Sequence, residues 1–495
     1  MLLPSDTTTI LAIDTETHTP KLKTHGPRAI QGEDFAIGIS VAAPDGFAAY
    51  YPLRHVSGNG PDNIVPYLKD FLSKPDNLAI FAHAKFDIEM LWSLGIDVKC
   101  KCYDVLVGDA LIDENQFDYS LEAVSKRYGF NGKERAELDP WMIANGLTLP
   151  KNKKKPNYGR MREVPPDIIT PYAIQDARLT LKDYQYQQPI IMKKNLSRVA
   201  QLECDLIPVT WAMRLEGVPV DLDKAEQVNI RMKAEGDAYL SEVRQTHPYF
   251  EPTAARSLEK YVNSFGVFPP RTPTDEPSIT NEWLMGSDHP EFHALAAYRV
   301  AEKIRRDFVE AVVLEMSFKG KIHPSWASTR GSDYSDDVGG TRTGRLACEL
   351  PNLAQIPKRH KVLGPLMRSM FVPRPGECWH KADYASQEPR ISLHYAVKYG
   401  LPGAEEIAQR YYADRKVDYH QMVTDLVNNV SSRVQIDRDQ GKTINLGLIY
   451  GLGKDKLAFK LLMTRPAVEM LLRIYHRAIP FVKPLQVKTR NFAEK

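Results

Sequence analysis

Residues Ile436–Gly451 read I-D-R-D-Q-G-K-T-I-N-L-G-L-I-Y-G, and within them Arg438, Lys442, Leu446 and Tyr450 recur every four residues. An α-helix places residues at that spacing on one face, so the stretch predicts a helix. At about 100° per residue the face drifts into a slanted stripe, cationic at its start, then apolar, then aromatic. Gly451 supplies the stop. A nucleoside triphosphate suits such a stripe. Arg438 and Lys442 would meet the phosphates, Leu446 would lie beneath the base, and Tyr450 would pack where a new base pair forms. The same spacing also describes an ordinary amphipathic surface helix, so the neighbouring sequence has to decide.

Upstream, Thr343–Leu346 reads T-G-R-L and is followed by E-L-P-N-L-A-Q-I-P; Arg368 opens R-S-M-F-V, and His420 lies in V-D-Y-H-Q. Cys378–Leu393, C-W-H-K-A-D-Y-A-S-Q-E-P-R-I-S-L, reads as a strand with Asp383 at its tip and a turn into a helix. In this order, together with R-x3-K-x3-L-x3-Y-G, these segments resemble the motifs of family A DNA polymerases, the DNA polymerase I family. The resemblance implies two-metal phosphoryl transfer with Mg²⁺, two ions per active site, for which Mn²⁺ can substitute. By that likeness Asp383 and the carbonyl of Tyr384 are metal ligands. Glu388 stands at the steric-gate position against the sugar, and Arg368, His420, Arg438, Lys442, Leu446 and Tyr450 line the dNTP site. Arg345 and Gln355 are expected on the minor groove of the primer-template, where acceptors common to all correct pairs are checked. One departure is Leu446, where the family usually has Phe or Tyr.

At the other end of the chain, Thr8–Ile13 is a β-branched apolar run ending in Asp14-Thr15-Glu16, which predicts a buried strand delivering two carboxylates. Asn77–Asp87, N-L-A-I-F-A-H-A-K-F-D, predicts a second strand leading into a helix that begins near Asp87. Tyr172 and Asp176 stand four apart, on one face of a further helix. Asp14, Glu16, Asp87 and Asp176 can converge only around cations. Two Mg²⁺ ions about 3.5 to 4 Å apart would activate a water and stabilise a leaving 3′ oxygen. D-x-E, H-A-K-F-D and Y-x3-D in this order resemble the proofreading 3′–5′ exonucleases, whose fold is a mixed sheet flanked by helices. The likeness makes Asp14, Glu16, Asp87 and Asp176 ligands, Tyr172 a catalytic residue, and single-stranded 3′ ends the substrate. Asp104 falls where that family has a D-T segment, and His83 stands where it commonly has Asn.

Length and composition set the bounds. The chain has 495 residues, a net charge of +3 and 43% hydrophobic residues, which suits several globular domains and confines any nucleic-acid surface to local patches. The densest basic run, Lys151–Arg162, reads as a solvated loop or as a contact for a frayed strand. Five cysteines without a second C-x-C pair point to reduced thiols. With no export signal and no apolar run long enough for a membrane, the expected location is cytoplasmic, the host cytoplasm if the protein is viral.

The expected fold is therefore α/β and α+β multidomain. A mixed-sheet exonuclease domain over residues 1–195 precedes a right-hand polymerase domain, with a thumb at 196–325, the first part of the palm at 326–395 and fingers at 396–495. Helices Leu196–Leu215, Asp223–Thr246 and His293–Phe318 resemble the thumb, and Arg299, Lys303, Arg305 and Arg306 are expected on duplex phosphates. The expected partners are primer-template, single-stranded 3′ ends and dNTPs, with no membrane. A compact exonuclease-polymerase with no room for a 5′ nuclease domain resembles bacteriophage enzymes. The H-D-E motif that carries the second palm carboxylate in the family does not occur in the 495 residues. The expectation is that the chain is cut or split within its palm and that a second polypeptide completes it. A stand-alone single-strand exonuclease and a non-catalytic DNA-binding scaffold are the alternatives.

Overall fold

The computed structural model describes residues 2–329, 341–357, 363–414, 416–430 and 435–493. Residues 330–340 and 358–362 of the expected palm, and the last two residues of the chain, lie outside the described residues. Contacts divide the chain into two compact units, Met1–Cys378 and Trp379–Lys495.

The first unit is built on one sheet of β1 (Ile10–His18), β2 (Phe35–Ala42), β3 (Ala48–Pro52), β4 (Leu78–Phe81) and β5 (Lys101–Asp104), in the order β3-β2-β1-β4-β5. β1 runs antiparallel to β2 and parallel to β4, and β4 parallel to β5, so the sheet is mixed as expected. β1 is central. Its Leu11 and Ile13 pack with Ile39, Val41 and Phe81 on one face, while Ala12 packs with Ile80 and Tyr103 on the other. A strand covered on both faces reads as a continuous apolar run, which is how T-T-I-L-A-I reads.

The carboxylates do not sit at the strand's tip. β1 continues through Asp14 and Glu16 to His18, because β2 goes on pairing with it, Asp14 opposite Ser40 and Glu16 opposite Gly38. Gly38 is required there. A Cβ at that position would lie 2.0 Å from the Tyr50 hydroxyl. The register shifts between Glu16 and Thr17, a bulge of the kind that re-aims side chains beside a site.

Helix Ala84–Trp92 starts three residues before Asp87, immediately after His83, whose φ is +82°. The Asp104 carboxylate explains both of the helix starts around it. It accepts from the Ala84 amide at 2.8 Å and from the Leu106 amide at 2.9 Å, satisfying orphan donors of two helices. Helix Pro166–Lys193 crosses the sheet and carries Tyr172 and Asp176 on its buried side. The basic run is a hairpin and a helical turn, not a plain loop. Asn152–Pro156 pairs with Thr148–Leu149, leaving Lys153, Lys154 and Lys155 exposed, and Tyr158–Glu163 follows.

The same unit continues in helices Ser197–Glu216, Leu222–Thr246 and Pro290–Ile304, the last running on through π-type turns to Leu314. Arg214 joins this part to the sheet. Its guanidinium donates to Glu89 at 2.6 Å and to the carbonyls of Pro27 and His323, all in a buried setting. One expected phosphate contact fails here. Arg305 is buried and consumed by Glu302, Glu310 and Asn229, so its donors are already satisfied inside the fold.

The second unit is helical among the described residues, with Leu393, Tyr411, Val423, Ile444, Leu471 and Tyr475 in one core. The strand expected for Cys378–Asp383 is not formed. That segment is irregular up to helix Gln387–Lys398 and joins no sheet among the described residues, and a strand depends on pairing with a neighbouring strand.

Candidate active site

Asp14, Glu16 and Asp176 converge. One carboxylate oxygen of each lies within 4.8 Å of the others, in a cavity also lined by Asp87, Tyr172, His83 and Lys133. The local fold explains the convergence. Alternation along β1 puts Asp14 and Glu16 on one side, and the i, i+4 spacing of the long helix presents Tyr172 and Asp176 to them. Asp87 stands just outside this trio. Its Oδ1 accepts from the Thr15 amide at 3.1 Å and from the Thr15 hydroxyl at 2.6 Å.

Three buried carboxylate oxygens here, Glu16 Oε1, Asp87 Oδ2 and Asp176 Oδ1, have no hydrogen-bond partner among the described residues. Orphaned buried acceptors are costly, and an all-oxygen set of this kind suits a hard divalent cation such as Mg²⁺ or Mn²⁺. Burial, reinforced by Asp14 and Asp176, holds the Glu16 carboxyl well above the usual carboxylate range. Asp87 is raised in the same sense by burial and by Asp14, against the opposing Thr15 hydrogen bonds.

Lys133 escaped the sequence reading. Its ammonium donates to Asp176 Oδ2 at 2.7 Å and to the Tyr172 hydroxyl oxygen at 3.3 Å. Burial alone would lower its pKa, but Asp176, Tyr172 and Asp14 together outweigh burial and raise it well above the ordinary lysine value. The signal was present only as a cation in the G-K-E-R segment 132–135, separated by 43 residues from the aspartate it meets.

A carboxyl raised in the folded state contributes most stability below its unfolded pKa, about 4.3 for Glu, and loses it as pH climbs through the folded value. Without a cation, this carboxyl therefore contributes less to stability at neutral pH than in acid. Added Mn²⁺ or Mg²⁺ is expected to raise the thermal midpoint, by about 2.7 kcal/mol of stability at a hundredfold excess over Kd, and to raise it less near pH 5. Thermal unfolding with and without the ion checks this. An equal gain in Glu16→Gln protein would refute the assignment.

In the second unit the quoted stretch forms helix Arg438–Ile449. Asp437 caps it in a reciprocal box with Gln440, at 2.8 and 3.1 Å. Tyr450 is its C-cap, and Gly451 follows with φ +70°. Ile444, Asn445 and Leu448 face the core. Arg438, Lys442 and Tyr450 are exposed and Leu446 half-buried, so the stripe faces outward.

Around this helix, the Tyr450 hydroxyl donates to Glu388 Oε1 at 3.1 Å, which joins the residue expected against the sugar to the end of the stripe. Arg438 Nε donates to Asp418 Oδ2 at 2.7 Å, a pair whose acidic member the sequence reading passed over. His420 is buried. Its Nδ1 meets Asn445 Nδ2 at 3.1 Å, and Tyr475 donates to Asn445 Oδ1 at 2.8 Å. Burial, aided by the charges of Lys442 and Arg438, lowers the His420 pKa and favours the neutral ring.

The remaining expected residues lie apart from these clusters. Arg345, Gln355 and Arg368 are exposed in the first unit, on an irregular segment, a short 3-10 turn and the end of helix Leu363–Arg368 respectively. Asp383 and Tyr384 are exposed in the second unit, on the irregular segment before helix Gln387–Lys398. No cluster of metal-ligating side chains forms around Asp383 among the described residues.

Comparison with known proteins agrees with this architecture. The model of DNA polymerase family A matches residues 226–495. The chain is 30% identical over 472 residues to a DNA-directed DNA polymerase of Pseudomonas phage M6, covering 91% of this chain and 68% of that one. It is 26% identical over 506 residues to DNA polymerase DpoZ of Vibrio phage phiVC8, covering 93% of this chain and 77% of that one. With DNA polymerase I of Pseudomonas aeruginosa it shares 26% identity over 476 residues, 92% of this chain but 48% of the bacterial protein. A solved POL domain of Pol1 from M. smegmatis, in complex with DNA primer-template and dNTP, superposes with a TM-score of 0.72 at 19% identity over 98% of this chain and 75% of that one. The fold is thus that of a polymerase domain. The chain belongs to DNA polymerase family A.

Proposed function

We propose that this family A DNA polymerase joins a 3′–5′ proofreading exonuclease, residues 1–195, to thumb, palm and fingers segments at 196–325, 326–395 and 396–495. The observation that carries the nuclease reading is the set of orphaned buried oxygens on Glu16, Asp87 and Asp176, gathered with Asp14 beside Tyr172. Asp14, Glu16, Asp87 and Asp176 would hold Mg²⁺ or Mn²⁺, which supplies water activation and charge stabilisation when bound. Tyr172 would orient the attacking water or the scissile phosphate. A cavity of about 240 Å³ with part of its lining polar admits the end of one strand. The exposed lysines of the 152–156 hairpin are suited to the phosphates of that strand.

For synthesis, Arg438 and Lys442 would hold the triphosphate, with Arg368 and His420 contributing to the same dNTP. Leu446 and Tyr450 would lie under the nascent pair and Glu388 against the sugar. Arg345 and Gln355 would touch the minor groove. Asp383 and the Tyr384 carbonyl would be palm ligands. A complement bearing an H-D-E strand pair, if added, would bring a second palm carboxylate.

The test uses Asp14→Ala protein, which removes competing digestion, in primer extension with and without that complement, alongside Mn²⁺-dependent digestion by the unmodified chain. Digestion of single strands faster than duplex, and extension restored by the complement, are the expected results. Digestion without extension under any condition would favour a stand-alone exonuclease. DNA binding without either activity would favour a scaffold. Extension by the 495 residues alone would show that another residue supplies the second ligand.

A further inference from the structure

We infer that Lys133 is a positioning residue of the exonuclease centre, one that sets the direction of the Tyr172 hydroxyl proton and restricts Asp176 to one-oxygen ligation. This rests on the proofreading reading above. A lysine ammonium has three donors and no acceptor. Its contact with Tyr172 at 3.3 Å therefore makes the phenolic oxygen an acceptor, which leaves the hydroxyl proton to point elsewhere. Its 2.7 Å bond to Asp176 occupies Oδ2, while Oδ1 is buried with no hydrogen-bond partner among the described residues. Tyr172 and Asp176 are one helical turn apart. Without Lys133, Asp176, whose charge acts on Tyr172 more strongly than those of Glu16 and Asp14, would compete for the tyrosine proton and turn it away from an incoming water or phosphate.

The arrangement is built, not incidental. The Lys133 side chain is 19% exposed and the Asp176 carboxylate 2%. The ammonium also lies 5.4 Å from the centre of the Tyr172 ring. The loop that delivers it is tied down just beyond it, where Arg135 bonds Glu122 at 3.0 Å while covering the Tyr158 ring. The hydrolysis itself is unchanged. A P–O bond forms to the water oxygen, the bond to the 3′ oxygen breaks, the leaving oxygen ends protonated, and Lys133 gives up no proton.

The experiment measures single-strand 3′ digestion and Mn²⁺ binding, the latter by paramagnetic resonance of the free ion, in unmodified, Lys133→Met, Lys133→Arg, Tyr172→Phe and Lys133→Met/Tyr172→Phe proteins. Lys133→Met is expected to lower kcat by about 10- to 100-fold, the size of a lost charge-assisted bond, with KM nearly unchanged. Its Mn²⁺ affinity should equal or exceed that of the unmodified chain, because a competing cation has left Asp176. Lys133→Arg should recover part of the rate. Adding Tyr172→Phe to Lys133→Met should cost less than about 2-fold further, since the two act as one unit. Fully additive losses, or a loss of Mn²⁺ binding in step with activity, would overturn the assignment. An unmodified chain that binds Mn²⁺ but digests nothing would instead remove the proofreading reading, and this inference with it.

Discussion

Asp14→Ala protein is expected to leave a single-stranded 3′ end intact under conditions in which the unmodified chain removes nucleotides, a loss on the order of 10³-fold or more. Asp14, Glu16 and Asp176 bring oxygens within 4.8 Å of one another, and the charge of Asp14 acts on both Glu16 and Asp87. Without it, the cation would lose a ligand, and the water and the leaving oxygen their stabilisation. The substitution also carries an internal control. Asp14 helps to hold Glu16 and Asp87 above their ordinary pKa values, so removing it relieves like-charge repulsion. Cation-free Asp14→Ala protein should therefore unfold no earlier than the unmodified chain. A mutant that digests normally, or that loses activity only because it melts earlier, would sink the metal-site assignment.

Most of this centre was legible because its residues obey local periods. Asp14 and Glu16 follow the strand period, Tyr172 and Asp176 the helical one, and each pair could be placed on a face before any tertiary contact was known. The helix carrying Arg438, Lys442, Leu446 and Tyr450 was legible for the same reason, and its Asp437-Gln440 box and Gly451 stop agree with its local chemistry. The features that were missed have no period. Lys133 reaches Asp176 from a loop. Arg305 looks like any helix-face cation until Glu302, Glu310 and Asn229 close around it, and Asp418 meets Arg438 across two helices. The strand expected before Asp383 failed for a related reason, since a strand depends on neighbours that a single segment does not contain.

Asp418 also makes helix Arg438–Ile449 a quantitative test. Lys442 is exposed and forms no ion pair among the described residues, so a triphosphate would gain its charge-assisted contacts without breaking others. Lys442→Ala is then expected to weaken dNTP binding by about 1.5 to 3 kcal/mol, roughly 10- to 150-fold. Arg438 differs because its Nε already serves Asp418 at 2.7 Å, in a pair about half exposed. A phosphate there would exchange one anion for another, and exposed pairs are worth little, about 0 to 1 kcal/mol, so Arg438→Ala should cost less than Lys442→Ala. Asp418→Ala should bind dNTP somewhat more tightly, the effect fading as salt rises. Direct titration of dNTP into each variant measures all three. Digestion of 3′ ends should stay within about 2-fold in each, because the carboxylate cluster belongs to the other compact unit and none of these substitutions removes one of its charges. Equal damage to both activities would mean misfolding or a shared role in holding DNA. An Arg438→Ala loss larger than that of Lys442→Ala would mean that the Asp418 pair is part of the nucleotide-binding geometry, not a competitor for it.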